Sequence, residues 1–218
     1  MGEAVHDWAD KIRAHDYSRF SWNADSEKEV ARILAKYPPT RKQSAVMGLL
    51  HLAQKQVGQE LQSAGFCASG WLPIPVIEYV AGFLDMPVIR VMEIASFYTM
   101  YNLEPVGKIH LQVCGTTPCW LRGSDDIFKA CLDKGAGKGS TRDDGLFTTT
   151  EVECLGACVN APVVQINEDY YEDLTYETMC AILDAFEKGE PPPPGPQISR
   201  RFAAPISGQT TLKEQEDA

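Results

Sequence analysis

Apolar side chains in the first hundred residues recur at the three- and four-residue spacing of amphipathic helices. The Ser26–Glu29 segment has the pattern of a capping box, and the proline pair at 38–39 ends the helix that this segment begins. Further helices are predicted to begin at Thr40, to include Pro75 in a first turn, and to follow Asp85. The pattern therefore predicts a small bundle of about four helices with short connections.

Beyond residue 107 the pattern changes, and short apolar runs alternate with helical segments. We predict strands at 108–113, 147–153, 163–166 and 170–172, and helices at 123–134 and 175–187. This alternation is typical of an α/β domain. The predicted fold class of the whole chain is therefore α+β, with an N-terminal helical bundle followed by an α/β domain.

The end of the chain, from Gly189 onward, is rich in proline and poor in apolar residues. Because it cannot bury a core of its own, we expect it to be extended and to become ordered only against a partner. The predicted organisation is a helical domain at 1–104, an α/β domain at 105–189 and a Pro-rich extended C-terminal tail at 190–218.

Composition and charge exclude several classes of function. The chain has 218 residues, of which 44% are hydrophobic, and its net charge is −10. An acidic balance argues against a nucleic-acid partner, which would need clustered Lys and Arg. No apolar run approaches the roughly 20 residues of a membrane span, so we expect no direct membrane insertion. The first residues do not resemble a secretory signal. We therefore expect the chain to reside in a reducing bacterial cytoplasm.

Two short cysteine loops carry the candidate chemistry, Cys114-Gly-Thr-Thr-Pro-Cys119 and Cys154-Leu-Gly-Ala-Cys158. Each loop follows a predicted strand, so two neighbouring strands would bring four thiolates together. Four thiolates suit either an iron–sulfur cluster or zinc, and the spacing by itself leaves both open. A dithiol redox centre is disfavoured because the chain contains no Cys-x-x-Cys sequence.

An iron–sulfur cluster in these loops would transfer single electrons and would require no acid–base pair. Its negative charge would need hydrogen-bond donors aimed at sulfur. We expect these donors to be backbone N–H groups within the two loops, namely those of Gly115, Thr116, Thr117, Leu155, Gly156 and Ala157.

Several residues outside the loops are predicted to have structural roles. Cys131 and Cys180 fall in helical segments and are predicted to be small buried hydrophobic residues. His110 alternates outward on its strand and is predicted to lie at the surface. Trp120 is predicted to pack in the ordinary way, in preference to shielding a cluster from water. The Phe97–Tyr101 run is predicted to be a buried junction between the two domains, in preference to an interface patch.

The residues around the cysteines go beyond generic spacing. The stretches Ala95–Gly107, Val113–Gly123 and Val152–Val163 together closely resemble the 24-kDa-type [2Fe–2S] subunit of respiratory NADH:quinone oxidoreductase (complex I), which in bacteria is called the E subunit. The resemblance covers roughly residues 20–188 and implies that the second domain is a thioredoxin-like ferredoxin domain. Such folds often have a cis proline, and Pro162 stands before a predicted strand.

By this resemblance, the ligands of one [2Fe–2S] cluster are Cys114, Cys119, Cys154 and Cys158. The implied partners are an FMN- and NADH-binding subunit, whose flavin exchanges single electrons with the cluster, and the large iron–sulfur subunit of complex I. FMN and NADH would be bound only by the partner. The implied location is the peripheral arm at the cytoplasmic face of the bacterial inner membrane, or the mitochondrial matrix side.

Two alternative functions stay open at this point. The first is a diaphorase subunit of an NAD-linked hydrogenase or formate dehydrogenase, because those subunits share the cluster motif. The second, from a different class, is a structural adaptor held together by zinc. The chain lacks a Gly-x-Gly-x-x-Gly fingerprint, so we predict that it binds neither NADH nor FMN alone, and we assign it no catalytic residue.

Overall fold

The computed structural model describes residues 4–208 and Thr211, and for residues 4–7 only the backbone. The chain forms two compact units. The first unit takes in the chain up to Lys108 together with Asp143–Gly145, and the second takes in Ile109–Arg142 and the chain from Leu146 onward.

The first unit is helical. Its α-helices are α1 (Ala4–Arg13), α2 (Ala24–Leu34), α3 (Val46–Ser63), α4 (Ile74–Leu84) and α5 (Val88–Phe97). Four of them match the predicted helices, whereas α1 was not predicted, and the segment Pro39–Ala45 before α3 is a 3₁₀ helix. Helix α2 begins earlier than the capping-box pattern suggested, because the Asn23 side chain accepts a hydrogen bond from Ser26 N at 2.9 Å and caps the helix there.

The apolar stripes predicted for these helices form one core. Fully buried members include Leu49, Leu50, Val57, Leu61, Ile77, Val80 and Leu84. The prediction was wrong for the run from Phe97, the last residue of α5, to Tyr101. Phe97 is 77% exposed, Tyr98 and Met100 are also exposed, and within this run only Tyr101 is buried.

Gly70 is required by the close approach of its backbone to α3. A Cβ atom at this position would lie 1.9 Å from the Gln54 carbonyl oxygen, which is held in the helix and cannot move aside. We expect Gly70→Ala to reduce the free energy of unfolding by about 3 kcal/mol, at the upper end for an overpacked site. Gly82→Ala is the control, since a Cβ there meets nothing within 4 Å and should stabilise α4 by about 0.5–1 kcal/mol. Urea unfolding followed by far-UV circular dichroism measures both, and equal stability of the two variants would contradict the close approach.

The second unit is built on a six-stranded sheet with the order β2-β3-β1-β4-β5-β6. The strands are β1 (Ile109–Cys114), β2 (Ser140–Thr141), β3 (Phe147–Val152), β4 (Val164–Ile166), β5 (Asp169–Glu172) and β6 (Gly195–Pro196). Strands β1 and β3 are parallel, and β4 is antiparallel to β1. The predicted strands are present, and the short strands β2 and β6 are additional.

Three helices complete this unit, α6 (Thr117–Leu121), α7 (Ser124–Asp133) and α8 (Tyr176–Lys188). Helix α7 packs against both α8 and β1. The core that results contains Leu111, Val113, Ile127, Cys131, Phe147, Met179 and Leu183, all of them buried. The prediction of a buried Cys131 is confirmed, while Cys180 is only half-buried. The peptide bond between Ala161 and Pro162 is cis.

The tail is not the free segment that its composition suggested. Strand β6 pairs in parallel with β5, with Tyr171 opposite Gly195 and Glu172 opposite Pro196. The expectation that the tail needs a partner in order to be ordered is therefore wrong for residues 190–208. The chain supplies its own partner surface. Strand β5 pairs with β4 along one edge and with β6 along the other, and the ion pair between Arg200 and Asp173 anchors the segment beyond β6.

Within residues 4–208, no helix has the combination of length and apolar character that crossing a bilayer requires.

Candidate metal centre

Strand β1 and the short helix α6 position the first pair of thiols. Cys114 is the last residue of β1, and Cys119 lies in α6, whose first turn contains Pro118. Both cysteines are buried, at 1% and 2% exposure. The turn between them is closed by Trp120 N, which donates to Thr116 O at 2.9 Å. Strand end, turn and helix thus place two sulfurs at the base of the site.

The second pair of thiols lies just beyond the end of β3. Cys154 follows Val152, the last residue of the strand, by two positions, and Cys158 begins a 3₁₀ turn. Gly156 between them has a φ of +80°, which favours glycine at this position. The two sulfurs are 3.3 Å apart and, unlike the first pair, both cysteines are exposed.

The two loops meet because β1 and β3 are parallel neighbours. Their register places Cys114 opposite Val152, so the carboxyl ends of both strands reach the same edge of the sheet. Cys114 interacts electrostatically with Cys119, Cys154 and Cys158. The structure thus brings all four predicted thiols together at one edge.

Each pair contains one thiol that is more acidic and one that is less acidic than usual. Burial opposes ionisation of Cys114, but hydrogen bonds from Thr116, from the Cys119 thiol and from Leu155 N–H outweigh it and lower the pKa. Burial, together with the bond to Cys114, raises the pKa of Cys119 to about 12. In the other loop, Gly156 N–H and then the Cys158 thiol lower the pKa of Cys154, and the bond to Cys154 raises that of Cys158.

The thiols are gathered as two pairs and not as one compact set. Within the described part of the chain, no three His, Cys, Asp or Glu side chains are grouped closely enough to hold a single metal ion. A structural zinc site would need four ligands about 2.0–2.3 Å from one ion. Two pairs of sulfurs fit a group that extends from one pair to the other.

Backbone donors surround the sulfurs, but not all of the predicted ones. Gly156 N donates to Cys154 Sγ at 3.4 Å, and the N–H groups of Thr116 and Leu155 stabilise the Cys114 thiolate. The prediction for Gly115 was wrong, because its N–H donates to Val152 O at 3.3 Å and continues the pairing of β1 with β3. A donor that the sequence did not suggest is Val163 N–H, which is directed at Cys119.

A small apolar cluster lines the inner side of the site. Cys114 and Cys119 pack with Ala161 and Val163, and the half-buried Leu155, Ala157 and Tyr170 lie against them. Tyr170 Oη donates to Leu155 O at 3.0 Å and so ties the second cysteine loop to β5. Sequence reasoning missed Tyr170 and Val163, since their positions depend on which strand lies beside β1.

Two predictions near the site were wrong. Trp120, predicted to be packed, is 58% exposed beside Leu121 at 70%. His110, predicted to lie at the surface, is buried. Its strand β1 lies inside the sheet between β3 and β4, and nearly all of its side chains are buried. Burial lowers the pKa of His110 to about 4, and its Nε2 lies 2.9 Å from Thr150 Oγ1. We assign His110 no role at the thiols.

Comparison with known proteins points to one family. The family profile of the thioredoxin-like [2Fe–2S] ferredoxins matches residues 30–187. The E subunit of the NADH-quinone oxidoreductase of Rickettsia bellii is 55% identical over 168 residues, which cover 77% of this chain and 94% of the relative. The corresponding E subunit of Rickettsia felis is 57% identical over 155 residues, which cover 71% of this chain and 86% of the relative.

A solved structure shares the fold. The crystal structure of an NAD+-reducing [NiFe]-hydrogenase in the air-oxidized state aligns with a TM-score of 0.51 and 16% sequence identity, over 66% of this chain and 23% of the hydrogenase chain. At this identity the likeness concerns the fold alone. Because the family profile matches most of the chain and close relatives align over most of their own length, the chain belongs to the thioredoxin-like [2Fe–2S] ferredoxin family and, within it, to the E subunits of NADH-quinone oxidoreductase.

Proposed function

We propose that this chain is an electron-transfer subunit of the NADH-oxidising module of a respiratory NADH-quinone oxidoreductase. The chain carries one [2Fe–2S] cluster, which supplies single-electron transfer. It is part of an oxidoreductase complex and does not hold a complete active site by itself. The observation that carries this proposal is the meeting of four thiols at the shared carboxyl edge of β1 and β3.

The proposed ligands are Cys114, Cys119, Cys154 and Cys158. Two pairs of thiols suit a group with two irons, each of which needs two thiolates. Cys114 and Cys154, one in each pair, accept hydrogen bonds from backbone N–H groups and from neighbouring side chains, and these bonds lower the pKa of both thiols. Such hydrogen bonds to sulfur also set the reduction potential of a cluster. The donor set, the apolar lining and the paired geometry all fit the cluster.

The exposure of the site favours electron exchange with another protein. Cys154 and Cys158 are exposed, whereas Cys114 and Cys119 are buried, so one side of the cluster would face a partner. We propose that this partner is the FMN- and NADH-binding subunit and that the large iron–sulfur subunit lies in the same complex. The proposed place is the peripheral arm, at the cytoplasmic face of a bacterial inner membrane.

Two alternatives compete with this proposal. A hydrogenase diaphorase subunit is supported only by a likeness of fold at 16% identity, whereas the E subunits of the two Rickettsia species are more than half identical. Mass spectrometry of the complex after gentle purification separates the two, since hydrogenase subunits would replace those of a quinone reductase. A zinc-held adaptor is disfavoured because the family profile of the thioredoxin-like [2Fe–2S] ferredoxins matches residues 30–187.

Metal analysis and electron paramagnetic resonance test the cluster directly. Purified without oxygen, the chain should contain about two irons and about two acid-labile sulfides. After reduction with dithionite it should show the signal of a single reduced [2Fe–2S] cluster. One zinc per chain, with no iron and no signal, would overturn the proposal. Equilibrium dialysis with NADH should detect no tight stoichiometric binding to the isolated chain.

A further inference from the structure

The C-terminal segment 190–208 crosses the second unit next to the loop that carries Cys158. Tyr171 Oη donates to Pro192 O at 3.0 Å, and Gln197 N donates to Glu172 O at 2.9 Å. The family profile ends at residue 187, so this segment lies outside the part of the chain that defines the family. Nothing in the proposed electron transfer uses it.

Arg200 anchors this segment through a buried ion pair. Its Nε and Nη2 atoms donate to the two carboxylate oxygens of Asp173 at 2.8 and 2.7 Å. The two side chains are only 4% and 7% exposed. A two-point pair of this kind is directional, and removing one partner would leave a buried charge uncompensated, which is strongly destabilising. The Arg200–Asp173 pair therefore holds the segment at one defined place.

The same arginine reaches the cysteine loop. Arg200 Nη2 donates to Val159 O at 3.0 Å, and Val159 is the residue directly after Cys158. Asn160, which is buried, donates through Nδ2 to Phe202 O at 3.1 Å and also to the Glu172 carboxylate. Asp173 N closes the set by donating to Asn160 O at 2.8 Å.

Apart from these hydrogen bonds, the bond from Tyr170 and the packing of the half-buried Leu155 and Ala157, few contacts hold the cysteine loop in place. Cys154, Gly156, Cys158 and Val159 are all exposed, and the side chain of Val159 buries little apolar surface. A segment with few buried apolar contacts opens locally at low free-energy cost. Hydrogen bonds from neighbouring elements therefore decide how long the loop keeps its conformation.

We propose that the segment 190–208 is a strap that fixes the ligand loop around Cys158, with Arg200 as its positioning residue. The strap slows opening of the loop and therefore slows loss of the cluster. This inference rests on the proposed function, because it takes Cys158 to be a cluster ligand. Arg200 touches the loop backbone and not the sulfur, so its effect is on loop geometry and persistence.

The test compares Arg200→Gln with Arg201→Gln in the full cluster-loaded chain. Arg201 lies in the strap next to Arg200, but its side chain is exposed, so the control removes the same charge and keeps the contacts that Arg200 makes with Asp173 and Val159. The first measurement is the rate at which the visible absorbance of the cluster disappears in the presence of an iron chelator. We expect Arg200→Gln to accelerate this loss about tenfold, equivalent to roughly 1.4 kcal/mol in the opening of the loop. Arg201→Gln should match the wild type, and Arg200→Lys should restore part of the lifetime.

Hydrogen exchange supplies a readout that general destabilisation would not reproduce. In Arg200→Gln, the backbone amides of residues 155–160 and 195–204 should exchange faster than in the wild type. The amides of β1 and α8 should exchange at the wild-type rate. A chain ending at Glu190 serves as a second variant if Arg200→Gln does not fold, because it removes the strap and exposes Asp173 to water. This shortened chain should lose the cluster at least as fast as Arg200→Gln does.

The outcomes separate this inference from the function on which it rests. Wild-type rates of cluster loss in both the shortened chain and Arg200→Gln would show that the strap has no such role, with the electron-transfer function untouched. Equal acceleration of exchange in β1 and α8 would also overturn it, because Arg200 would then act on the whole unit. A wild-type chain without iron and sulfide would instead refute the proposed function, and the inference would fail with it.

Discussion

Cys119→Ala is expected to abolish or grossly alter the cluster. The Cys119 side chain is buried beside Cys114, and the second unit's two cysteines outside the loops, Cys131 and Cys180, lie in the helices α7 and α8. Iron content should fall from about two per chain to near zero, and the electron paramagnetic resonance signal should disappear. Cys119→Ser, which offers an oxygen ligand, should lose the cluster or retain one with a changed spectrum.

Two other cysteines provide the controls for this experiment. Cys131→Ala removes a fully buried thiol from the same unit, and Cys180→Ser changes a half-buried thiol on α8. Both variants should keep the iron content and spectrum of the wild type, because neither residue belongs to the two loops. Equal loss of cluster in Cys180→Ser and Cys119→Ser would refute the ligand assignment.

Phe147→Ala is expected to destabilise the second unit by about 3–5 kcal/mol, the range for removing a fully buried phenylalanine. Phe147 is 0% exposed and begins β3 opposite Ile109. The Arg142 guanidinium also lies 4.8 Å from the centre of its ring. The cavity would weaken the strand that leads to Cys154, so cluster loss should accompany unfolding at lower urea concentration.

Phe97→Ala is the matched control, since it removes the same side chain from a position that is 77% exposed. Its effect should stay within about 0.5 kcal/mol, as for most surface substitutions. In a urea titration, the visible absorbance of the cluster reports on the second unit, while far-UV circular dichroism reports on the helices and strands of both units. A Phe147→Ala midpoint indistinguishable from that of Phe97→Ala would contradict the buried role assigned to Phe147.

Much of the fold could be predicted because local amphipathic patterns survive in the structure. The strands that contain Leu111 and Phe147 and the helix that contains Ile127 lie within a few residues of the predicted bounds. Their apolar residues form the core, as their spacing indicated. Errors arose where spacing was a poor guide to burial, as at His110 and Phe97.

The tail shows why composition alone was misleading. Its many prolines and few apolar residues argued for a segment without structure of its own. The structure instead pairs Gly195 with Tyr171 and buries Arg200 against Asp173, which is distant in sequence. A single buried ion pair with two-point geometry can hold a segment that has no hydrophobic core, and no periodic pattern reveals its partner.

The chemistry of this protein could be derived from local features of its sequence. These features are two cysteine loops, each following a strand, and helices and strands whose periodicity indicates which face is apolar. How the site is completed depends on long-range contacts, because the strand order β3-β1-β4-β5 places Val163 and Tyr170 beside the loops, and the packed sheet buries His110. Local periodicity is a property of adjacent residues, whereas strand order and the pairing of Arg200 with Asp173 arise from contacts between residues far apart in the chain, whose free energy depends on the whole fold.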